Sequence, residues 1–255
     1  MSYNNTNPSV LITGGASGIG RAAAELLAQH GWVVDLADRD PAVVELGKSL
    51  GGAGTQLDVT DTAAVDAWVN SRPDAAALVT SAGICAGEYL VDSTDEQWDS
   101  IMNINFMGTV RALRAFARNR VAQGGGGAAV LIASNNAFWP ARSISQYCAS
   151  KAAILMLGKV AASELGEHGI RVNILAPGET ETPMTAEALK ECPEDLAEIE
   201  RRTPLGRVGQ AVDVGAAVRL LLSEDASWIT GQLISADGGI SLRGESDMNP
   251  VHQES

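Results

Sequence analysis

A tyrosine and a lysine four residues apart form the most informative pair in the sequence. Tyr147 and Lys151 enclose the string YCASK within a pattern that predicts a helix over 145–168. Residues at this spacing share one helix face, and an ammonium group beside a phenol lowers the pKa of the phenol. The pair therefore makes Tyr147 a candidate acid/base for exchanging a proton with an alcohol or carbonyl oxygen. A Tyr–Lys pair of this spacing also occurs by chance on ordinary helices.

A glycine-rich string near the start of the chain is suited to holding a diphosphate. The string TGGASGIG (13–20) lies between a predicted strand (9–13) and a predicted helix (18–30). Without side chains in the way, an anion can approach the helix N-terminus, where unpaired N–H groups and the helix dipole favour it. A dinucleotide site and a plain connecting turn are the two interpretations of this string. The residues expected to contact the cofactor here are Gly14, Ser17, Gly18, Ile19 and Gly20.

An acidic residue at the end of the second predicted strand supports the dinucleotide interpretation. Asp38 follows Gly18 at about the spacing at which a carboxylate binds the ribose hydroxyls of the adenosine. A carboxylate there repels a 2′-phosphate, so we expect NAD rather than NADP. The neighbouring Arg39 is either a solvated surface charge or a partner for that phosphate, which would have to overcome the charge of Asp38.

Strands and helices alternate along the sequence and must position these candidate residues. This alternation predicts a doubly wound parallel sheet of about seven strands, an α/β Rossmann fold. We expect one domain over 1–242 and a polar tail over 243–255, with a long irregular segment at about 177–193 that is typical of a functional loop. The predicted strands are 9–13, 32–37, 54–58, 76–80, 128–134, 170–176 and 232–235. The predicted helices are 18–30, one from about 41, 62–71, 96–123, 145–168 and 211–222.

Composition restricts the classes of function. The 255 residues carry a formal charge of −13, which argues against nucleic-acid or anionic-membrane binding. The apolar runs are too short to span a bilayer, the polar first nine residues predict no secretory signal, and three cysteines without metal-ligand spacing fit a reducing cytoplasm. We therefore expect a cytoplasmic protein without a bound metal.

Several motifs in the same order resemble the short-chain dehydrogenase/reductase family over about 10–240. The glycine motif matches Thr13, Gly14, Gly18 and Gly20, and the terminal Asp237-Gly238-Gly239 after Thr230-Gly231-Gln232 also fits the family pattern. The family's catalytic tetrad matches Asn105, Ser134, Tyr147 and Lys151. The resemblance implies a Rossmann fold, a nicotinamide dinucleotide and an alcohol or carbonyl substrate.

The resemblance also implies a role for each member of this tetrad. Tyr147 is expected to be the catalytic acid/base, and Ser134 to orient the substrate oxygen. Lys151 is expected to lower the pKa of Tyr147 and to hold the nicotinamide ribose, and Asn105 to anchor a water in a proton relay. The alternatives are that Ser134 caps the loop after its strand and that Asn105 satisfies buried backbone within a helix.

Further cofactor contacts follow from the same resemblance. The residues that match family positions around the dinucleotide are Asp58, Val59, Ala82, Gly83, Pro177, Gly178 and Thr182. Asp58 is expected to meet the adenine amino group and Thr182 the nicotinamide carboxamide, although a turn residue and an ordinary loop threonine are the alternatives. The family's Asn-Asn-Ala-Gly reads Thr80-Ser81-Ala82-Gly83 here. This departure puts in doubt the local hydrogen bonding of the first asparagine, part of which the Thr80 hydroxyl is a candidate to replace.

The substrate pocket is expected between the segment after Ser134 and the loop near 177–205. Trp139 or Phe138 is predicted to supply an apolar wall, with polar contacts from Asn136, Gln146 or Glu179. The alternative is that the aromatic residues pack under the loop or at a subunit contact.

We expect an NAD(H)-dependent oxidoreductase that interconverts a secondary alcohol and a ketone. The rival functions are an NADPH-dependent 3-oxoacyl-thioester reductase, a catalytically idle dinucleotide-sensing protein, and an S-adenosylmethionine methyltransferase, which leaves the Tyr–Lys pair unexplained. In the family the helices that match 96–123 and 145–168 pair with those of other subunits, which implies a homodimer or homotetramer.

Overall fold

Short apolar runs build a parallel sheet at the centre of the fold. The structure is a computed structural model that describes residues 7–186 and 193–243. Its main sheet has seven parallel strands, as the sequence predicts, and their order is β3-β2-β1-β4-β5-β6-β9. The strands of this sheet are β1 (Ser9–Thr13), β2 (Val33–Asp38), β3 (Ala53–Gln56), β4 (Ala77–Thr80), β5 (Gly127–Ile132), β6 (Ile170–Pro177) and β9 (Leu233–Ala236).

Helices cover both faces of the sheet, which is why the central strands are apolar throughout rather than alternating. The helices are α1 (Gly18–Gln29), α2 (Ala42–Ser49), α3 (Thr62–Asn70), α4 (Asp95–Ile101), α5 (Gly108–Ala122), α6 (Ser145–Leu165), α7 (Pro193–Arg202) and α8 (Ala211–Leu222). Leu27 of α1 and Val218 of α8 belong to the core on one face. Phe116 of α5 and Ile154 of α6 belong to the core on the other.

Most predicted elements are present with ends displaced by a few residues, and two regions differ more. The single helix predicted over 96–123 is divided, because the turns at Met102–Met107 between α4 and α5 are π-helical. The segment predicted as irregular contains a short strand, β7 (Thr180–Glu181), which pairs in parallel with β8 (Gly209–Gln210). Residues 187–192 of that segment, and the predicted tail beyond Arg243, lie outside the described residues.

The strand order reverses between β1 and β4. Chain order runs outward through β2 and β3 on one side and through β5 and β6 on the other. Ligands of open α/β sheets bind at the carboxyl ends of the strands at such a reversal. The loops that follow β1, β4, β5 and β6 meet at this edge, and they carry most of the candidate residues. Among the described residues, no helix combines the length and the apolar character that a bilayer span requires.

Candidate active site

Tyr147, Lys151 and Ser134 come together at the carboxyl ends of β5 and β6. Tyr147 and Lys151 lie in the first two turns of α6, and the Lys151 Nζ is 5.4 Å from the centroid of the Tyr147 ring. Lys151 is buried and donates a hydrogen bond to the carbonyl oxygen of Ile132 at 3.1 Å. Ser134 lies two residues after the end of β5 and is also buried. The three side chains therefore form one group on neighbouring elements.

The protonation of this group differs from the expectation drawn from the Tyr–Lys spacing. Burial raises the pKa of Tyr147 above its ordinary value, and a hydrogen bond with Ser134 acts in the opposite direction without cancelling it. Burial lowers the pKa of Lys151 to about 8. The predicted lowering of the Tyr147 pKa by Lys151 is not seen, because the desolvation of the phenol outweighs other influences and the ammonium group is directed to a backbone carbonyl.

Ser134 caps the turn that follows β5. Its Oγ accepts a hydrogen bond from the backbone N–H of Asn136 at 3.1 Å, at the start of the short 3₁₀ turn Asn135–Ala137. The loop-capping alternative is thus part of what Ser134 does. The same contact fixes its hydroxyl beside Tyr147, so the two interpretations of Ser134 are compatible.

Asn105 joins the loop after β4 to helix α6 from within the π-helical turns. Its Oδ1 accepts from the Ile84 N–H at 2.8 Å, and its Nδ2 donates to the Ile84 carbonyl at 2.9 Å and to the Ser150 Oγ at 3.1 Å. These bonds satisfy buried backbone, which was the alternative to a relay role; the water relay stays a prediction. A Cβ on Gly83 would lie 3.2 Å from the Asn105 Oδ1 and 3.7 Å from the Lys151 Nζ. The loop after β4 thus packs directly on both side chains.

The glycine-rich loop has the shape that a diphosphate requires. Gly14 has a φ of +69°, and a Cβ there would lie 2.6 Å from the Ala82 nitrogen. Gly20 packs so tightly that a Cβ would collide with the Gly14 carbonyl oxygen. Ser17 precedes α1, but its side chain makes no capping hydrogen bond to the first turn. The N–H groups at Gly18 and the following residues are therefore left for an anion, so the loop fits the pyrophosphate of a dinucleotide.

Asp38 lies beside this loop at the end of β2. Its Oδ2 accepts from the Ala16 N–H at 3.0 Å, and its Oδ1 accepts from the Asp40 N–H at 3.0 Å. These two bonds hold the carboxylate next to the loop, where the adenosine ribose is expected. Arg39 is exposed, as the surface-charge interpretation predicts.

Asp58 and Val59 follow β3 on the same side of the sheet. Hydrogen bonds with Thr60 lower the pKa of Asp58, with smaller contributions from Arg39 and Arg111. The Asp58 Oδ1 accepts from the Thr60 N–H at 2.8 Å, which is the turn geometry that was the alternative to an adenine contact. Val59 is buried against Gly108. Contacts of either residue with adenine stay predictions.

The loop after β6 reaches back to the glycine-rich loop. A Cβ on Gly18 would lie 3.5 Å from the Thr182 Cβ, so Thr182 covers the start of α1. Gly178 packs against Asp237 at the end of β9, where a Cβ would lie 2.6 Å from the Asp237 Cβ. Pro177 and Gly178 are thereby fixed against the end of β9.

The Thr80 hydroxyl does not replace the hydrogen bonding of the family's first asparagine. Its Oγ1 is buried and has no hydrogen-bond partner in the described part of the chain. The adjoining turn is held instead by Thr13, whose Oγ1 accepts from the N–H groups of Ser81 at 3.2 Å and Ala82 at 3.4 Å. Ala82 therefore stays against the glycine-rich loop without help from Thr80.

The residues predicted to line the substrate pocket lie in different surroundings. Asn136 donates to the Trp139 carbonyl at 3.1 Å, and the half-buried Trp139 ring faces the Arg202 guanidinium at 5.6 Å. Phe138 is exposed. Gln146 is only 1% exposed, and Ser145 donates to its Oε1 at 3.4 Å. Gln146 is therefore buried in the first turn of α6, whereas Asn136 and Trp139 are only half-buried.

Glu179 and two cysteines lie near Tyr147. Burial raises the pKa of Glu179, and the charges of Cys85 and Glu179 act on the pKa of Tyr147. Cys85 is exposed and Cys148 half-buried. Because Cys85 is 62 positions before Tyr147 in the chain, no local pattern indicated that they meet. The contact between Arg202 and Trp139 was missed for the same reason.

Within the described residues, no cluster of His, Cys, Asp or Glu side chains has an arrangement that holds a metal ion.

Comparison with known proteins decides the family. A family profile described as enoyl-(acyl carrier protein) reductase matches residues 14–241. A solved short-chain type dehydrogenase/reductase from Mycobacterium ulcerans is 33% identical with a TM-score of 0.86, over 93% of this chain and 91% of that one. The chain belongs to the short-chain dehydrogenase/reductase family. It is an oxidoreductase of hydroxyl and carbonyl groups, and the family binds nicotinamide dinucleotides.

Two curated relatives of this short-chain dehydrogenase/reductase act on acyl thioesters according to their names. The human (3R)-3-hydroxyacyl-CoA dehydrogenase is 34% identical over 91% of this chain and 95% of its own. The 3-oxoacyl-[acyl-carrier-protein] reductase MabA of Mycobacterium tuberculosis is 33% identical over 92% of this chain and 93% of its own. Membership of the family excludes the methyltransferase interpretation.

Proposed function

We propose that the protein is an NAD(H)-dependent enzyme that interconverts a secondary alcohol and a ketone, with Tyr147 as the acid/base. The observation that carries this proposal is the grouping of Tyr147, Ser134 and Lys151 at the strand ends that face the glycine-rich loop. The bound nicotinamide would accept or supply the hydride. Side chains of this protein would bind the cofactor, orient the substrate and exchange the proton.

The residues that would hold the dinucleotide follow the carboxyl edge of the sheet. The N–H groups at the start of α1 are suited to the pyrophosphate, and Asp38 to the ribose hydroxyls. In this proposal Lys151 would hold the nicotinamide ribose, and Thr182 would bind the carboxamide. A carboxylate at position 38, fixed by two backbone bonds, supports NAD over NADP because it would repel a 2′-phosphate.

The proton is exchanged at the Tyr147 hydroxyl. Because burial raises the pKa of Tyr147, the phenol is protonated at neutral pH and is ready to donate to a carbonyl oxygen. In alcohol oxidation the phenolate must form first, so this direction should become faster as the pH rises. Ser134 would orient the substrate oxygen, and Lys151, whose pKa burial lowers to about 8, would be charged below that pH.

Replacement of the Tyr147 hydroxyl tests the proposal. In Tyr147→Phe, kcat/KM for ketone reduction with NADH should fall by about 100-fold or more, because general acid catalysis contributes at least this factor. Binding of NADH, measured by its fluorescence, should be retained. Tyr89→Phe, at an exposed tyrosine of the same chain, is the control and should keep full activity. If Tyr147→Phe is as active as the natural chain, the proposed role of Tyr147 is wrong.

A second candidate function is reduction of 3-oxoacyl thioesters with NADPH. The names of the two curated relatives favour it. A panel of secondary alcohols, simple ketones and acetoacetyl-CoA, each tested with NAD(H) and NADP(H), separates the two. Turnover confined to acetoacetyl-CoA with NADPH would replace the first proposal by the second.

Association through α5 and α6 is part of the proposal. These helices border an apolar groove of about 510 Å³ whose lining includes Leu113, Val121 and Leu157, with Arg114 and Glu164 at its sides. Met156 on α6 is exposed as well. Such a surface supports pairing with a second copy of the chain into a homodimer or homotetramer, which sedimentation equilibrium would test. A single domain over 1–242 likewise remains our proposal.

A further inference from the structure

Glu179 emerges from the strand end next to the one that carries Ser134. The Ala133 N–H donates to the Leu175 carbonyl at 2.8 Å, so the chain segments after these two residues leave the sheet side by side. Ser134 follows directly on one segment. Glu179 lies on the other, immediately after Pro177 and Gly178. The strand register thus places Glu179 at the same corner of the sheet as the proposed acid/base group.

The backbone of Glu179 is fixed on both sides. Its carbonyl oxygen accepts from the Gly209 N–H at 3.0 Å, and the next residue, Thr180, pairs with Gly209 in the small sheet. On the other side, Gly178 packs against Asp237. Because neither neighbour can shift freely, the side chain of Glu179 starts from a defined position.

The carboxylate of Glu179 has no partner of its own. The residue is half-buried, and within residues 7–186 and 193–243 no hydrogen bond or ion pair engages its oxygens. It is nevertheless close enough to Tyr147 and Cys85 for its charge to raise the pKa of both groups. Burial strips part of the water from this carboxylate, so a hydrogen-bond donor supplied by a ligand would stabilise it.

We infer that the Glu179 carboxylate binds a hydrogen-bond donor on the substrate, a hydroxyl or ammonium group close to the reacting carbon. This inference rests on the proposed function and narrows its substrates to diols, hydroxyketones or amino alcohols. The thioester group of a 3-oxoacyl thioester, one methylene away from the reacting carbonyl carbon, offers only acceptors, which the carboxylate repels. Glu179 therefore favours polar substrates of this class over the 3-oxoacyl thioesters named for the curated relatives.

The test compares matched substrates on each protein. Two ratios of kcat/KM are measured on each protein. The first compares trans-1,2-cyclohexanediol with cyclohexanol and tests a hydroxyl donor. The second compares trans-2-aminocyclohexanol with cyclohexanol and tests an ammonium donor. For the natural chain we expect at least one of the two ratios to exceed about 10. The preferred substrate shows whether a hydroxyl or an ammonium group is the donor.

In Glu179→Gln the elevated ratio should fall at least fivefold. The amide has no charge and only one acceptor oxygen, so it binds a donor more weakly. Glu181→Gln is the matched control, because Glu181 is exposed two residues further on and is bonded to the Gln210 Nε2 at 2.9 Å. This variant should keep the natural ratio. Because each ratio is measured within one preparation, a loss of folded protein does not affect it.

The outcomes separate this inference from the proposed function. The role of Glu179 would be overturned if both ratios of the natural chain were near 1, or if Glu179→Gln left an elevated ratio unchanged. In either case, turnover of the alcohols would still support the proposed function. A lack of turnover with every alcohol and ketone would overturn both.

Discussion

Cofactor selection by Asp38 can be tested by removing one charge without changing the shape of the side chain. In Asp38→Asn the amide oxygen can still accept from the Ala16 N–H, which the carboxylate now holds at 3.0 Å, whereas the bond from the Asp40 N–H is lost. The variant should therefore keep the loop in place while losing the repulsion of a 2′-phosphate. We expect the preference for NAD over NADP to fall, chiefly through better use of NADP.

The size of the effect follows from Coulomb's law. A phosphate monoester carries a charge of about −1.5 to −2, and about 5–6 Å separates it from a carboxylate that binds the same ribose. Because Asp38 is half-exposed, the effective dielectric constant lies nearer to that of water than to that of a protein interior. The repulsion is then about 1.5–3 kcal/mol, which corresponds to about a 10- to 150-fold change in the ratio of kcat/KM.

Steady-state kinetics with both cofactors and one fixed substrate measure this ratio. Asp40→Asn is the matched control, because the exposed Asp40 carboxylate caps Ala42 at 2.9 Å and carries the same charge two residues away. That variant should change the ratio by less than about threefold, since long-range charge effects are screened. A natural preference for NADP, or equal ratios in the natural chain and Asp38→Asn, would refute the reasoning.

Three further predictions use other features of the site. Glu179→Gln should move the alkaline limb of alcohol oxidation to lower pH by up to about one unit, because a negative charge that raises the pKa of Tyr147 is lost; an unchanged pH profile of kcat/KM would contradict this. Thr80→Val should stabilise the protein by about 1 kcal/mol in urea unfolding, because the buried hydroxyl has no partner in the described structure; a loss of stability would show that the hydroxyl is satisfied. Gly14→Ala should destabilise more than Gly51→Ala and abolish NADH binding, because both glycines have positive φ but only a Cβ at Gly14 meets backbone; equal unfolding free energies would count against the close packing.

Local sequence patterns predicted the main sheet because each strand is a short apolar run between turn residues. The order of the glycine-rich string, Ser134 and Tyr147 along the chain then fixed which strand ends carry the candidate site. The ends of the helices and strands were predicted less accurately, because they depend on tertiary contacts. The π-helical turns around Asn105 were not predicted, because their cause is the hydrogen bonding of Asn105 to Ile84, far away in the chain.

Pairings between distant residues could not be predicted from the sequence. Asp35 lies within a run that indicates a buried strand, and its charge had no visible partner. In the structure Asp35 accepts from the Trp68 Nε1 at 3.0 Å and from the Arg72 Nε at 2.9 Å. The raised pKa of Tyr147 was missed for a related reason, because the spacing to Lys151 carries no information on the depth of burial.

The contact of Gly83 with Asn105 and Lys151 has a consequence for how the enzyme can evolve. The turn that contains Gly83 also packs on Gly14 through Ala82, so one turn contacts both the glycine-rich loop and the Asn105 and Lys151 side chains. A methyl group added at Gly83 would press on the amide of Asn105 at 3.2 Å and touch the amine of Lys151 at 3.7 Å. Changes in the outer loops should therefore accommodate new substrates more readily than changes in this turn.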